Sequence, residues 1–454
     1  MRRDTIVALA TPAGTSAICV LRASGSLCER LLGSFRGNRE FLPNCLCHRE
    51  YFSVDGCAID DVLVVFFRAP KSYTGEDSIE IHCHGNMLLA DRILSDMCAR
   101  GCRLADPGEF TKRAFLSGKL DLCQAEAVAD IIHAASDRAI AVARKQLSGT
   151  LSDRINAISG SLIDPLAAIE HRIDFSDGED DSAAFWDDTA REVAKISSAL
   201  EELMRSSRFR NAIDGGISLV ILGEPNVGKS SLFNALLGED RAIVSEIPGT
   251  TRDIISEKIV IGGNALRICD SAGLRSGNTA CGVEKIGIEK AISLAKNAEI
   301  FLIVVDASAD RAPEFPQELT SLFGKKNSLV AMNRIDLGKN CNLDNFLPHV
   351  RRVTTSINIP ESIGTLRENL LSVISENDAL RCDVDIVVNA RHVEILRRAL
   401  EFLSSAALWI SRKSQVEIIA SDIRQALETL GEITGAYGHE KILDAIFSNF
   451  CVGK

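Results

Sequence analysis

The sequence lacks any long hydrophobic run. None of its apolar stretches approaches the roughly 18 residues that an α-helix needs to cross a bilayer. Residues 1–5 lead into a short strand-like run and do not resemble the apolar region of a signal peptide. We therefore expect a cytoplasmic protein with no membrane span.

Positive charge is also in short supply. The chain of 454 residues carries 51 lysines and arginines against 62 aspartates and glutamates, which gives a formal net charge of −11. Proteins bind nucleic acids mainly through lysine and arginine contacts with phosphates, so this balance argues against non-specific nucleic-acid binding. An RNA partner would require a local basic groove or a helper protein.

Paired metal-binding motifs are missing. Cys45-Leu46-Cys47-His48 and His82-Cys83-His84 resemble metal ligands, but neither has a second matching pair at zinc-site spacing. We interpret them as buried thiols and hydrogen-bonded histidines. The 14 cysteines do not indicate a disulfide framework, because a long chain with 46% hydrophobic residues can fold without one.

The chain is too long for a single core, and its patterns divide it into three kinds of region. Residues 1–118 alternate short β-rich runs with turns, which predicts an α+β domain. Residues 211–378 alternate strands and helices, which predicts a mostly parallel α/β sheet. Residues 119–210 and 379–454 have helical periodicity. Helices on both sides favour insertion of the α/β region into one helical domain, although separate helical domains would give the same pattern.

The most informative motif is the segment Gly223–Ser230, which reads Gly-Glu-Pro-Asn-Val-Gly-Lys-Ser and matches GxxxxGK[ST]. It follows an apolar strand pattern and precedes a helical one, so an ordinary glycine turn is disfavoured. Backbone N–H groups and the helix N-terminus would surround phosphates, Lys229 would reach the outer phosphates, and the Ser230 hydroxyl would bind magnesium. The predicted nucleotide contacts are Asn226, Val227, Gly228, Lys229, Ser230 and Ser231.

Two further motifs follow predicted strands. In Asp270-Ser271-Ala272-Gly273, the aspartate can hold magnesium through water and the glycine N–H can sense the γ-phosphate. In Asn333-Arg334-Ile335-Asp336, Asp336 would accept the N1–H and N2–H of guanine, donors that adenine cannot supply. Arg334 replaces the usual lysine, and its planar head is expected to stack differently on the purine. Thr355-Ser356-Ile357 has isoleucine where alanine is usual, so guanine specificity depends mainly on Asp336.

The segment between these motifs, 244–253, contains a Gly-Thr-Thr sequence. Thr251 is placed to complete the magnesium shell, although a simple Gly-Thr turn is the alternative. The residue after Gly273 is Leu274 and not a glutamine, which could orient the attacking water. An apolar side chain cannot do so, and hydrolysis therefore needs another group.

Several segments resemble the tRNA-modification GTPase MnmE (TrmE) family: 74–77, 107–115, 119–122, 124–127, 248–253, 270–275, 283–289 and 447–454. The resemblance spans the full chain. It implies an N-terminal α+β domain for dimerisation and folate binding (1–118), a discontinuous all-α helical domain (119–210 and 379–454) and an inserted Ras-like P-loop G domain (211–378).

The resemblance also implies a potassium site. Asn226 matches the potassium ligand of the family, and Ser245, Ile247 and Thr250 complete the site when two G domains dimerise across their nucleotides. A monovalent cation there would do the work of an arginine finger. The remaining switch residues expected at the nucleotide are Glu246, Pro248, Gly249 and Thr251.

Two catalytic residues follow from the same resemblance. Glu284 matches the glutamate that polarises the attacking water through a bridge, and a surface helix carboxylate is the alternative. Cys451 matches a cysteine used in the modification step, whereas a lone cysteine is more often structural. Positions of a pocket for 5-formyltetrahydrofolate, or a related one-carbon folate, match Arg22, Glu80, Lys119 and Lys454.

We therefore expect a homodimeric, potassium-stimulated GTPase. With an FAD-dependent MnmG (GidA)-type partner in a heterotetramer, it would form 5-carboxymethylaminomethyl or aminomethyl groups on the wobble uridine of certain tRNAs. One alternative is a ribosome-assembly GTPase with a KH-type RNA module, since Gly435-Ala436-Tyr437-Gly438 fits GXXG but lacks basic residues. Another is a folate-binding scaffold that has lost catalysis.

Overall fold

The computed structural model describes residues 4–37, 41–174, 183–210, 216–238, 256–270, 295–296, 298–324, 327–338, 346–377, 386–436, 443, 446–448 and 450–453. The chain divides into two compact units. The first comprises Met1–Ala129, Gln146–Ala194 and Arg398–Lys454, and the second comprises Asp130–Lys145 and Lys195–Arg397. Each unit is therefore assembled from stretches that lie far apart in the sequence.

Seven strands of the first unit form one sheet: β1 Ile6–Leu9, β2 Ile18–Ser24, β3 Phe35–Arg36, β4 Cys47–Phe52, β5 Ala58–Phe67, β6 Ser78–His84 and β7 Arg103–Leu104. Their order is β3-β4-β5-β6-β2-β1-β7, and neighbours run antiparallel except for β1 and β7. Alternating residues of β2 and β6, such as Leu21 and Ile79, point into one apolar core, as a half-buried strand requires.

Two helices accompany this sheet, α1 Cys28–Leu31 and α2 Met87–Ala99. The Asn86 side chain caps α2 by accepting a hydrogen bond of 2.8 Å from the backbone N–H of Leu88. Helical spacing then brings Ala90, Ile93 and Met97 onto one buried face, which packs into the sheet core. This confirms the expected α+β domain.

The next helices are α3 Glu109–Leu116, α4 Leu122–His133, α5 Asp137–Leu147, α6 Thr150–Asp174 and α7 Ala183–Arg205. Leu151, Ile155, Ile158 and Leu162 of α6 repeat at helical spacing and are buried. Among the residues that the structure describes, no helix combines the length and hydrophobicity needed to cross a membrane.

The second unit contains a six-stranded sheet formed by β8 Ile217–Leu222, β9 Ser256–Ile261, β10 Asn264–Asp270, β11 Ile300–Asp306, β12 Ser328–Asn333 and β13 Arg351–Thr354. The order is β13-β12-β11-β8-β10-β9, and only the β9–β10 pair is antiparallel. Among the described residues, the helices that lie between or directly after these strands in the sequence are α8 Lys229–Leu237, α9 Gln317–Thr320 and α10 Pro360–Glu376. Gly262 and Gly263 join β9 to β10 with φ values of 55° and 78°, the positive values that a tight hairpin turn needs.

Both faces of this sheet are covered. Leu219 and Ile221 of β8 belong to one buried cluster, while the alternating Val220 and Leu222 belong to another. Burial on both faces explains why β8 is a continuous apolar run. The arrangement confirms the expected Ras-like α/β domain.

The last helices described are α11 Ala390–Ser411 and α12 Val416–Thr434. Along α12, Ile419, Ile423, Ala426 and Leu430 form a buried stripe, and α12 packs along α6. Helices from before and after the α/β stretch thus share one core, as expected for a discontinuous helical domain.

Some predictions from the sequence need correction. Strands β3, β4 and β7 were not anticipated, since they are short or carry charged residues such as Arg49 and Glu50. Cys83 is buried as expected, but Cys45 is exposed and Cys47 is half-buried, so the buried-thiol interpretation is wrong for that pair. The helix predicted over 441–450 lies mostly outside the described residues.

Candidate functional site

A glycine-rich loop connects the buried strand β8 to helix α8. Gly228 precedes the helix with φ 93°, and a Cβ there would lie 2.3 Å from the Asn333 side-chain nitrogen. A Cβ at Gly223 would lie 2.4 Å from the carbonyl oxygen of Val304. Both positions therefore require glycine, because the loop runs against neighbouring strands with no space for a side chain.

Lys229 folds back over this loop. Its Nζ donates to the carbonyl oxygens of Gly223 and Glu224 at 2.9 and 2.7 Å. Asn226 is exposed at the loop tip in the left-handed conformation, with φ 64°. Asparagine tolerates this conformation better than most residues, and the exposed Asn226 is followed by the buried Val227.

Asn333 links this loop to the strand ends that carry the second motif. It is almost fully buried at the end of β12, and its Nδ2 donates to the carbonyl oxygen of Val227 at 2.8 Å. The Thr355 hydroxyl donates to Asn333 Oδ1 at 3.4 Å. The side chain thus ties the phosphate-loop backbone to the edge where a purine would bind.

Asp336 lies in the exposed turn Ile335–Leu337 that follows Asn333. Hydrogen bonds from the side chains of Ser356 and Asn358 lower the pKa of the Asp336 carboxyl group. The Asn358 amide is 2.8 Å from Asp336 Oδ2. A carboxylate held in this way stays ionised and acts only as an acceptor, which suits the recognition of two N–H donors. The neighbouring Ile357 is half-exposed.

Arg334 occupies the position between these residues. Its backbone is left-handed, with φ 62°, and its Nη1 donates to Asp306 Oδ2 at 2.7 Å. Asp306 was missed by the sequence analysis. The available signal was a carboxylate that ends the apolar strand β11 at the same sheet edge as the phosphate loop.

The structure leaves other predicted residues untested. Asp270 ends β10, and its backbone lies beside Ile221 of β8. Ile221 in turn comes just before the phosphate loop in the sequence. The following predicted residues lie outside the described part of the chain: Ser245, Glu246, Ile247, Pro248, Gly249, Thr250, Thr251, Ser271, Ala272, Gly273, Glu284 and Lys454.

A second polar site lies in the first unit. Arg22 and Glu80 face each other across β2 and β6, with Arg22 Nη2 2.7 Å from Glu80 Oε1. The Arg22 guanidinium carbon lies 5.6 and 5.9 Å from the ring centroids of Tyr73 and Phe110. Its Nη1 donates at 3.5 Å to the carbonyl oxygen of Gly453. The site is thus a cation between two aromatic rings, and sequence patterns gave no sign of those rings.

The chain terminus packs against this site. Gly453 has φ 95°, and a Cβ there would lie 2.5 Å from the carbonyl oxygen of Leu9. The carbonyl oxygen of Cys451 accepts a 3.4 Å hydrogen bond from the backbone N–H of Gly108. These contacts hold Cys451 at the surface, where it is exposed. A cavity of about 410 Å³ is lined by Val452.

Two predicted features have simpler surroundings. Lys119 is exposed after α3, and its Cγ would lie 3.6 Å from a Cβ placed on Gly75. Gly435 ends α12 with φ 87°, and a Cβ there would lie 2.7 Å from the ring of Phe115. Packing explains this glycine without a KH-type loop. Tyr437 and Gly438 are outside the described residues.

Comparisons with known proteins agree over the whole chain. The model of the MnmE helical domain matches residues 122–451, and the model of the GTP-binding protein TrmE N-terminus matches residues 5–119. The tRNA modification GTPase MnmE of Opitutus terrae is 44% identical over 457 residues and 99% of each chain. That of Aquifex aeolicus is 39% identical over 454 residues and all of both chains.

Some solved structures are similar to part of this chain. The G domain of the T. maritima FeoB iron transporter is 25% identical, covers 35% of this chain and 98% of its own, and has a TM-score of 0.24. Aquifex aeolicus Era bound to GDP and AlF4⁻ is 22% identical, covers 41% of this chain and 66% of its own, and has a TM-score of 0.25.

Proposed function

The chain belongs to the tRNA modification GTPase MnmE family, and from that premise we propose that it hydrolyses GTP in the modification of tRNA. The observation that supports this most strongly is the link between the two halves of the nucleotide site. Asn333 bonds to the backbone of the phosphate loop, and Asp336 follows in the same chain segment. The end of β12 thus connects the loop proposed to bind the phosphates with the residue proposed to bind the base.

Asp336 selects guanine. Its lowered pKa keeps the carboxylate ionised, so that it accepts the N1–H and N2–H of the base. Adenine presents neither donor, so an adenine nucleotide would make neither of these hydrogen bonds to Asp336. Turnover of GTP and ATP by the full chain tests this proposal. We expect GTP to be hydrolysed and ATP to be bound and hydrolysed far more weakly; equal turnover of both would contradict it.

The phosphates lie at the N-terminus of α8. Lys229 exchanges its carbonyl contacts for the outer phosphate oxygens, where a cation is stabilised more strongly. The exposed Ser230 hydroxyl, in the first turn of α8, fits a magnesium ligand. Thr251 would complete the magnesium shell. Within Asp270 to Gly273, the aspartate would hold magnesium through water and the glycine N–H would sense the γ-phosphate. Backbone contacts come from Val227, Gly228 and Ser231.

Hydrolysis requires a positive charge and an oriented water. A potassium ion held when two G domains pair would supply this positive charge during phosphoryl transfer. Its oxygen ligands are Asn226, Ser245, Ile247 and Thr250, and the exposed amide of Asn226 suits this cation. Glu284 polarises the water through a bridge, because Leu274 cannot. Glu246, Pro248 and Gly249 are further nucleotide contacts in this proposal.

The first unit binds a one-carbon folate such as 5-formyltetrahydrofolate. Arg22 fits this group, since its cation can pair with a folate carboxylate while Tyr73 and Phe110 offer aromatic surface. Glu80 orients Arg22, and Lys119 and Lys454 add positive charge for the folate. Cys451 serves the modification step at the adjacent surface.

The complete cytoplasmic assembly is a homodimer joined to an FAD-dependent MnmG (GidA)-type protein in a heterotetramer. It forms 5-carboxymethylaminomethyl or aminomethyl groups on the wobble uridine of certain tRNAs. For the domains we propose the bounds 1–118, 119–210 with 379–454, and 211–378. Affinity purification of the tagged chain from native extract tests the partner. We expect a yellow flavoprotein to co-purify in stoichiometric amount, and its absence would contradict this part.

A further inference from the structure

Asp306 at the end of β11 is bound through both carboxylate oxygens. Its Oδ1 accepts hydrogen bonds from the backbone N–H and the hydroxyl of Ser308, at 2.9 and 2.6 Å. Its Oδ2 accepts from Arg334 Nη1 at 2.7 Å. The carboxylate is therefore fixed on one side by its own turn and holds Arg334 on the other.

This pair lies at the base end of the proposed nucleotide site. Asp306 is directly opposite Asn333 in the β11–β12 register, and the backbone N–H of Ala307 donates to the Asn333 carbonyl oxygen at 2.8 Å. Asn333 is the residue that bonds to the phosphate loop, and Asp336 follows it closely. Arg334 thus stands in the sequence between Asn333 and Asp336, and its side chain is anchored to Asp306.

The anchoring contact uses only the edge of the guanidinium. Hydrogen bonds to guanidinium lie in its plane, so that its flat faces can stack on a ring. The Arg334 side chain remains 41% exposed, whereas that of Asp306 is 17% exposed. A long arginine held in this way has already lost rotamer freedom before a ligand arrives.

We propose that Asp306, supported by Ser308, is a positioning residue that holds the Arg334 guanidinium in place to cover one face of the guanine ring. The inference rests on the proposed function and adds a determinant of base affinity to it. A lysine at position 334 would offer a point charge and no flat face, so this device belongs to the arginine variant of the motif.

The electrostatics of Asp306 agree with this role. Partial burial pushes its pKa up, but the hydrogen bonds from Ser308 and Arg334 outweigh burial and leave the pKa below its ordinary value. Asp306 is therefore ionised whenever the protein is folded near neutral pH. If Asp306 served only as a turn cap, the effect of its substitution on GDP binding would not depend on Arg334.

Calorimetric titration of the full chain with GDP and with inosine diphosphate tests the proposal in four proteins: wild type, Asp306→Asn, Arg334→Ala and the double variant. We expect Asp306→Asn to weaken GDP binding about three- to tenfold, the benefit of one preorganised side chain. Inosine lacks only the N2 amino group that Asp336 reads, and it keeps the ring face that Arg334 covers. Asp306→Asn should therefore weaken the binding of inosine diphosphate by the same factor as that of GDP. In the Arg334→Ala background, Asp306→Asn should cause no further loss.

Two additional variants sharpen the result. Asp310→Asn, an exposed carboxylate on the same loop, is the matched control and should leave GDP affinity unchanged. Ser308→Ala keeps the ion pair but loosens Asp306, and should weaken GDP binding about twofold. It keeps the proposal testable even where Asp306→Asn does not fold.

Several outcomes would overturn the proposal. Unchanged or tighter GDP binding by Asp306→Asn would show that the ion pair does not prepare Arg334 for the base. An equal loss in the Arg334→Ala background would reduce Asp306 to a turn cap. A wild-type chain that binds GDP no better than ADP would overturn the proposed function as well, whereas tight GDP binding that ignores Asp306→Asn would overturn only this inference.

Discussion

The two candidate sites of this chain are built in different ways. The nucleotide site in the second unit uses residues that follow strand ends, and its main groups come from contiguous motifs such as Gly223–Ser230 and Asn333–Asp336. The site around Arg22 combines two strands, an aromatic residue from a loop, another from α3 and the chain terminus. The first kind of site is encoded locally, and the second exists only after the chain has folded.

The largest effect is expected at the locally encoded site. Lys229→Ala should lower GTP turnover by about a hundredfold or more, because a positioned charge that meets phosphate oxygens is lost. Steady-state phosphate release measures this. Lys258→Ala, a cation on β9 of the same unit, is the control and should retain full turnover. Folate binding should be unaffected, and a parallel loss of both activities would contradict the separation of the sites.

A smaller effect is expected from the base-reading carboxylate. Asp336→Asn should weaken GTP binding about 10- to 100-fold, since the charge-assisted hydrogen bonds to the N1–H and N2–H of guanine are lost. The asparagine amide can donate to the C2 carbonyl of xanthine, so affinity for xanthosine triphosphate should rise. Competition with a fluorescent nucleotide measures both. Loss of GTP binding without any gain for the xanthine nucleotide would argue against direct base reading by Asp336.

The smallest effect is expected at the assembled site. Arg22→Ala should weaken 5-formyltetrahydrofolate binding about tenfold, through loss of one charge-assisted contact, and should leave GTP turnover unchanged. Equilibrium dialysis with labelled folate measures the affinity. Arg36→Ala is a matched control, because Arg36 also lies over an aromatic ring, that of Phe52, elsewhere in the unit. Equal losses for both variants would point to general destabilisation.

This contrast explains how much the sequence could predict. The strand β8, the phosphate loop and helix α8 are contiguous in the sequence, so the motif alone predicts their order. The close contacts that require glycine at positions 223 and 228 come from Val304 and Asn333, which only the fold brings to the loop. The hairpin at Gly262 and Gly263 is predictable for the same reason. In each case, residues that are contiguous in the sequence are enough to predict the local structure.

Other features could not be predicted in this way. Arg22 and Gly453 are separated by 431 positions, and only the tertiary structure brings them together. The rings of Tyr73 and Phe110 carry no pattern that distinguishes them from core residues. Asp306 lies at the nucleotide site, yet its role also depends on the tertiary structure, because its partner Arg334 is 28 positions away. Long-range pairs of this kind are set by strand order, which local periodicity does not determine.

We propose that the nucleotide pocket uses a soluble potassium ion in place of an arginine finger. Initial rates of GTP hydrolysis by the full chain, measured at saturating GTP in potassium chloride and in sodium chloride of equal concentration, test it most directly. We expect a rate at least about tenfold higher in potassium, with the advantage lost in Asn226→Ala, because a charge at the transferred phosphoryl group strongly lowers the barrier. Equal rates in the two salts would contradict the account.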